Sequence, residues 1–334
     1  MVLVVAGKLK FLGKRLAVVA NNWIITTSFS YSALVLTPLL ESIRRHCPGA
    51  SVLILTDNAG LEQLASLPKR YNQVILRAVN TPPKVIHGHF ALARKILSRS
   101  QRSIRRSLQQ VGLRNRGKGE RPISIEQPRR LSLSTCQAHL LIRRFFWIKH
   151  LLEQEILGEV DYLMLTDARD VVLQSDPFQG CGNQLITGEE GETIAQSPMN
   201  RDWLAKAYSN SLALELSPYQ ALCAGVTIGS KAQILAYLDC FCDSTLAIMR
   251  RQGTALLPNW DQGIHNKILR IDRPVALLCS PADGLISTVG LVGSDRIQLD
   301  CEGQVVVDGT VPAVLHQYDR HPALVKHLQR SYQP

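Results

Sequence analysis

The chain of 334 residues predicts an α/β fold: one domain on a mostly parallel central sheet, with helices on both faces. Three observations lead there. Short continuous apolar runs close on polar residues, as buried parallel strands do. A helical pattern with signals at both ends separates the first two of these runs. Strand–helix–strand at this spacing is a βαβ unit, whose crossover lays helices over the sheet. Composition agrees, since 46% hydrophobic and 19% charged residues supply a large core and exclude disorder of the whole chain. No run of about 18 apolar residues, the length a spanning helix needs, is found in the sequence.

Element by element, residues 1–20, "MVLVVAGKLKFLGKRLAVVA", form a basic N-terminal segment whose apolar runs are broken by Lys8, Lys10, Lys14 and Arg15. They offer neither a clean apolar leader core nor a cleavage site, so a cytoplasmic chain is expected, with its folded domain over 21–334. "NWIITTSFS" (22–30) begins as a β-branched strand. "TPLLESIRRHCPG" (37–49) predicts a helix with Thr37 at the N-cap, Pro38 at the first helical position and a Pro-Gly stop. "SVLILTDN" (51–58) and "NQVILRAV" (72–79) are the next strands. Residues 81–132 interrupt the pattern as a basic, partly mobile insertion. "STCQAHLLIRRFFWIKHLLEQEIL" (134–157) resumes it as a helix with Leu141, Phe145, Ile148 and Leu152 on the buried stripe. Arg144 falls inside that stripe and Arg143 well outside it. A buried Arg144 needs an anionic partner; the alternative is a side chain snorkelling out at the helix edge. Tyr162–Thr166 is a central strand and "CAGVTIGS" (223–230) another. Ser230 and Gln233 form a capping box opening the helix "KAQILAYLDCFCD". "NWDQGIHNKILR" (259–270) is a helix, and "VPAVLHQYDRHPAL" (311–324) a strand followed at once by His, Asp and Arg.

The eight cysteines contain no CxxC pair, which argues against a disulfide framework or a zinc site. Of the net charge of +11, nearly all sits between Arg94 and Arg130, where twelve Lys and Arg face only Glu120 and Glu126. The folded body is therefore close to neutral and does not advertise nucleic-acid binding. The arm itself lacks interleaved aromatics for base stacking. It is either a peripheral contact to an anionic membrane or acceptor, or a solvated insertion.

In open α/β sheets ligands bind beyond the carboxyl ends of the strands. Thr26 to Ser28, Asp57, Asp167 to Asp170 and His316 to Arg320 all fall at such ends. Asp167 and Asp170 could share a hard divalent cation, with the His316 imidazole completing its shell. Alternatively the two aspartates cap a turn and pair with Arg169.

"YLMLTDARDVVLQSDPF", "CAGVTIGS", "WDQGIHNKIL" and "LHQYDRHPAL", in that order, resemble a nucleotide-sugar-dependent glycosyltransferase of the GT-A fold. The likeness is distantly to the glycogenin and lipopolysaccharide galactosyltransferase group, and covers roughly residues 20–56 and 134–324. It implies a metal site of Asp170, Asp167 and His316 taking Mn2+ or Mg2+. Here two residues separate the aspartates where the family has one. It implies a nucleotide and donor site including Gly225, Arg320 and Asp167, to which the buried stripe of the 134–157 helix adds Arg144 and strand-end position adds Thr26, Thr27 and Asp57. Asp261 and Gln262 match the pair facing sugar and acceptor, for which Asp261 as a mere helix cap is the alternative. "GEEGETIAQSPMNRDWLAKAY" (188–208) resembles the family segment after the metal motif, offering Glu189, Glu192 and Asn200 to sugar hydroxyls. Trp203 is expected in the core. Cys223 stands where the family commonly has asparagine.

The implied activity is metal-dependent transfer of a sugar from a nucleoside diphosphate sugar, a UDP-sugar first, to an acceptor hydroxyl. The acceptor would be a glycan, lipid or protein in polysaccharide, glycolipid or glycan synthesis. The distant relatives retain anomeric configuration, which favours retention here. A nucleotidyltransferase would want a glycine-rich basic signature after the first strand, and "TTSFSYSA" has none. A non-enzymatic anion-binding protein using the basic arm is the reading from another class.

Overall fold

A computed structural model describes residues 21–79, 138–252, 259–273 and 276–333. The basic N-terminal segment and the whole of the 81–132 insertion, with the arm from Arg94 to Arg130, lie outside the described residues. The first strand, β1 (Trp23–Thr27), is buried throughout, as its β-branched sequence requires of a central strand. Helix α1 (Ala33–His46) follows, then β2 (Ser51–Thr56), the short helices α2 (Asn58–Gln63) and α3 (Leu67–Arg70), and β3 (Val74–Ala78). Past the insertion come α4 (Leu140–Glu153), β4 (Tyr162–Thr166), β5 (Val171–Leu173), β6 (Ile186–Thr193), α5 (Pro198–Ala207), α6 (Asn210–Glu215) and β7 (Gln220–Ser230). The chain continues through α7 (Lys231–Gln252), α8 (Asp261–Lys267) with a π turn over Ile268–Asp272, β8 (Leu277–Cys279) and β9 (Ile286–Thr288). It closes with β10 (Ile297–Leu299), β11 (Val305–Val307), β12 (Val314–His316) and α9 (Pro322–Ser331).

The predicted architecture is present: a seven-stranded, mostly parallel sheet in the order β3-β2-β1-β4-β7-β6-β8. β1 pairs in parallel with both β2 and β4, and β6 with β8, while β7 runs antiparallel to its neighbours β4 and β6. Alternation along the strands divides two cores. Trp23, Ile25, Leu163 and Leu165 face α4 and α7, whereas Ile24 and Met164 face α1. A period of two in strands buried on both faces thus places helices on both sides. A second sheet, β5-β12-β9, and the hairpin β10-β11 stand beside the main sheet. The small sheet carries the site, because β12 and β5 pair His316 with Val171.

Several boundaries differ from the sequence reading. α1 begins at Ala33, so Pro38 sits inside the helix and Thr37 is no cap. Thr37 Oγ1 instead donates back to the Ala33 carbonyl at 3.1 Å. Within its first turns the helix forgoes one backbone bond at Pro38, which packing of Leu36, Leu39 and Leu40 outweighs. Arg143, expected outside the apolar sector, is buried as well, its guanidinium lying 5.5 Å over the Trp147 ring. Half of the capping box forms: Ser230 Oγ accepts from the Gln233 amide at 3.4 Å, but the Gln233 side chain accepts from Arg273. α7 is the one described helix long and apolar enough to cross a bilayer, and 44% of its apolar window is buried in the protein. Phe241 and Tyr237 there pack on Phe145 of α4, at ring distances of 3.9 and 6.1 Å.

Candidate metal centre

β4 stops at Thr166, and the Asp167 amide donates to the Gly225 carbonyl at 2.8 Å, fixing the turn against β7. Asp170 leads into β5, and its carbonyl accepts from the Gln317 amide at 2.9 Å. Two sheets therefore converge on one point, and Asp167, Asp170 and His316 each bring a ligand atom to within 4.8 Å of the others. His316 Nε2 lies 3.8 Å from Asp167 Oδ2 and 4.0 Å from Asp170 Oδ2. These separations exceed a hydrogen bond and suit donors sharing an ion at about 2.0–2.6 Å each. The other ring nitrogen of His316 is 3.4 Å from Thr288 Oγ1, a contact that orients the imidazole. Oxygen and imidazole donors without a thiolate suit Mg2+, Mn2+ or a similar divalent ion. This buried group could hold a metal ion.

Gly225 makes the space. A Cβ there would meet His316 Cε1 and stand 2.5 Å from its Nε2 and 2.8 Å from Asp167 Oδ2. The described structure thus puts Gly225 against the ligand set. Arg144 is buried and paired, the first of the two outcomes its place in the helix stripe left open. Its guanidinium donates to Asp167 Oδ1 at 2.5 Å and to Asp261 Oδ2 at 3.3 Å. Asp261 is the first residue of α8, and its other oxygen accepts the Gln262 amide at 3.0 Å. It therefore both supports the helix start and reaches the site. Arg169 pairs with Asp319 at 2.7 Å, leaving the two aspartates to His316 and Arg144.

The carboxyls are driven apart electrostatically. Burial works against the Asp167 carboxylate, but Arg144 and His316 outweigh it and hold its pKa well below the usual range. Burial raises Asp170, reinforced by the neighbouring Asp167 against the opposing pull of His316. Burial also raises Asp261, with Arg144 opposing and Asp167 reinforcing. For His316 burial disfavours the imidazolium, yet the surrounding carboxylates win and raise its pKa.

The other anticipated residues take varied places. Thr26 and Thr27 line a small cavity with Arg144, Thr166 and Ala224, and Thr26 Oγ1 is buried without a hydrogen-bond partner among the described residues. Asp57 caps α2, its Oδ1 accepting the Gly60 amide at 2.8 Å. Arg320 is exposed and lies over Gly290, where a Cβ would stand 2.9 Å from a guanidinium nitrogen. Trp203 is half-buried, packed on Gly263 where α5 meets α8, with only 3.1 Å for a Cβ. Asn200 and Gln262 come together: Gln262 Nε2 donates to Asn200 Oδ1 at 2.9 Å. Glu189 is held by Arg270 at 3.0 Å, and Glu192 is half-exposed at the end of β6.

The glutamate that joins the cluster is Glu190, with Gln317, and neither was anticipated. Glu190 accepts from Gln262 at 2.8 Å, Asn200 at 3.2 Å and Gln317 at 3.3 Å. The run "EEGE" marks β6 as acidic, but the strand shifts register at Thr187/Gly188 and again after Glu189. Counting by twos through such bulges misassigns the faces. Gln317 left one usable signal, its position directly after His316.

No protein-family model matches the chain, and no curated protein does. What the site can do is read from its own residues.

Proposed function

We propose that the protein is a metal-dependent glycosyltransferase of GT-A-like architecture, moving a sugar from a nucleoside diphosphate sugar, UDP-sugar foremost, to an acceptor hydroxyl. The observation that carries this reading is the convergence of Asp167, Asp170 and His316 beside the Arg144–Asp261 pair. They gather beyond the carboxyl ends of parallel strands, where open α/β sheets take their ligands. A sheet with one reversed strand, β7, next to β4 supports the same architecture.

Asp167, Asp170 and His316 would hold Mn2+ or Mg2+. Such a cation, when bound, neutralises a departing diphosphate. The protein's own part is preorganisation. Arg144 fixes Asp167 and Asp261 relative to each other, so the carboxylates need no rearrangement as charge develops. Asp261 and Gln262 face the sugar and acceptor. Under retention the acceptor proton passes to the leaving diphosphate, and Asp261 positions the sugar; under inversion the raised Asp261 carboxyl is the base. Arg320, exposed near His316, adds a forked contact for phosphate. The acceptor is a glycan, lipid or protein, and the arm from Arg94 to Arg130 gives the cytoplasmic enzyme a peripheral hold on anionic membrane.

The test is a thermal-shift panel of UDP-, GDP-, CMP- and dTDP-sugars, each with and without Mn2+. At least one nucleotide should stabilise the protein only when metal is present, and Asp170→Asn should abolish that response while keeping its own cooperative melt. Absence of any metal-dependent stabilisation sinks the proposal.

A further inference from the structure

Asp167 and Asp170 stand on one turn and His316 at the start of another, and three hydrogen bonds tie the two turns together beyond the strands that carry them. β12 pairs with β5 as far as His316 opposite Val171. The Gln317 amide then donates to the Asp170 carbonyl at 2.9 Å, extending the ladder one step past the strand. The buried Tyr318 side chain donates its hydroxyl to the Arg169 carbonyl at 3.1 Å. The Arg169 guanidinium donates in turn to Asp319 Oδ2 at 2.7 Å.

The two residues between the aspartates divide their roles. Ala168 is buried in the same apolar cluster as Met164 and Val171, which seats the turn on the core. Arg169 faces outward, its side chain 55% exposed, and reaches the histidine turn. Its carbonyl and its guanidinium are thus both held by residues that follow His316.

These ties matter because the ligand atoms do not hold one another. His316 Nε2 is 3.8 Å from Asp167 Oδ2 and 4.0 Å from Asp170 Oδ2, too far for direct hydrogen bonds. Their spacing is therefore set by the backbones beneath them, while two like-charged carboxylates push apart. Asp167 has a second hold in Arg144, whereas Asp170 directly follows the clasped Arg169. Gln317 has a left-handed backbone, φ 60°, which a residue with a side chain keeps only where its surroundings enforce it. Tyr318 and Asp319, the next two residues, supply that enforcement. The contacts differ in weight. Tyr318 is shielded from water, but the Arg169–Asp319 pair is largely solvated, where ion pairs contribute little.

We propose that Tyr318, assisted by Arg169 and Asp319, is a clasp that presets the metal centre, holding the aspartate turn and the histidine turn at ion-binding spacing before an ion arrives. All three are positioning residues that act through the backbone of the turns. The proposal rests on the metal-site part of the transferase reading. Without the clasp the turns separate for part of the time, and affinity falls by the fraction of molecules whose site is closed.

The test is Mn2+ titration of the full chain by calorimetry, with metal-free melting as the control for folding. Tyr318→Phe keeps the ring and the charge and removes one donor. It should weaken Mn2+ binding about tenfold, the low end of what losing an outer partner of a ligand costs. Arg169→Met and Asp319→Asn also change the charge near the ion, in opposite senses, so they are combined in a double-mutant cycle. Charge effects add, whereas the clasp is lost only once, which leaves a coupling of about twofold or more. This cycle decides the proposal if Tyr318→Phe fails to fold. A cooperatively melting Tyr318→Phe protein that binds Mn2+ as tightly as the parent overturns the clasp and leaves the metal centre standing. An additive cycle overturns the part given to Arg169 and Asp319. Failure of the parent to bind Mn2+ overturns the clasp and the metal centre together.

Discussion

Replacing Gly225 with alanine isolates the metal centre from the fold. The added methyl would sit 2.5 Å from His316 Nε2 and 2.8 Å from Asp167 Oδ2, where ordinary contact begins at 3.4 Å. His316 must therefore retreat by about 0.9 Å and Asp167 by about 0.6 Å, large displacements against metal–ligand bonds of about 2.0–2.6 Å. Overpacking of this kind costs about 1–3 kcal/mol, a fall of a few degrees in Tm for a domain of this size. The effect on metal should be larger. Disturbing only the outer partners of ligands loses about 10- to 100-fold in affinity, and here the ligands themselves move. Mn2+ titration by calorimetry, with metal-free melting as the control for folding, reads both quantities. A folded Gly225→Ala protein that binds Mn2+ as tightly as the parent would refute the assignment of Asp167 and His316 as ligands to one ion.

Arg144→Met should destabilise by roughly 3–5 kcal/mol in urea unfolding, because it strands the facing carboxylates of Asp167 and Asp261; a loss below about 1 kcal/mol contradicts that pairing. Burial first, then Arg144 and Arg270, depresses His265 to about 3. The folded state binds fewer protons there than the unfolded state, whose histidines titrate near 6.5. Stability from this group is thus complete above about pH 6.5 and declines toward pH 3, at up to ~1.4 kcal/mol per unit. His265→Gln should flatten that part of the stability–pH curve, and an unchanged slope argues against a neutral buried imidazole. Tyr71→Phe removes the 2.8 Å bond to the buried Glu41 carboxylate and should cost about 1.5–3 kcal/mol, read as a lower denaturation midpoint at constant m-value.

The strands that make the frame were legible because their chemistry is local. Continuous apolar runs at 51–56 and 162–166 can only be buried on both faces, and the polar residues that end them mark the ligand side of the sheet. Arg144 was legible for a similar reason: a charge on an apolar stripe needs a partner. The start of α1 was misplaced because packing of Leu36, Leu39 and Leu40 overrides the boundary that Thr37 and Pro38 suggest. The face of Glu190 was hidden by two register shifts in β6, which no alternation rule can count through.

The sequence by itself determined the residue types of the site and their order along the chain: the aspartates after one strand, the histidine at the end of another, an Asp-Gln pair opening a helix. Only the tertiary structure decided which of them meet. β5 pairs antiparallel with β12 across 145 positions of chain, His316 opposite Val171, and that pairing carries His316 to the aspartates. The same pairing turns Gln317 toward Glu190. Strand pairing between distant segments depends on complementary edges and buried area contributed by the whole domain. A local pattern holds the donors, and long-range register sets the distances between them.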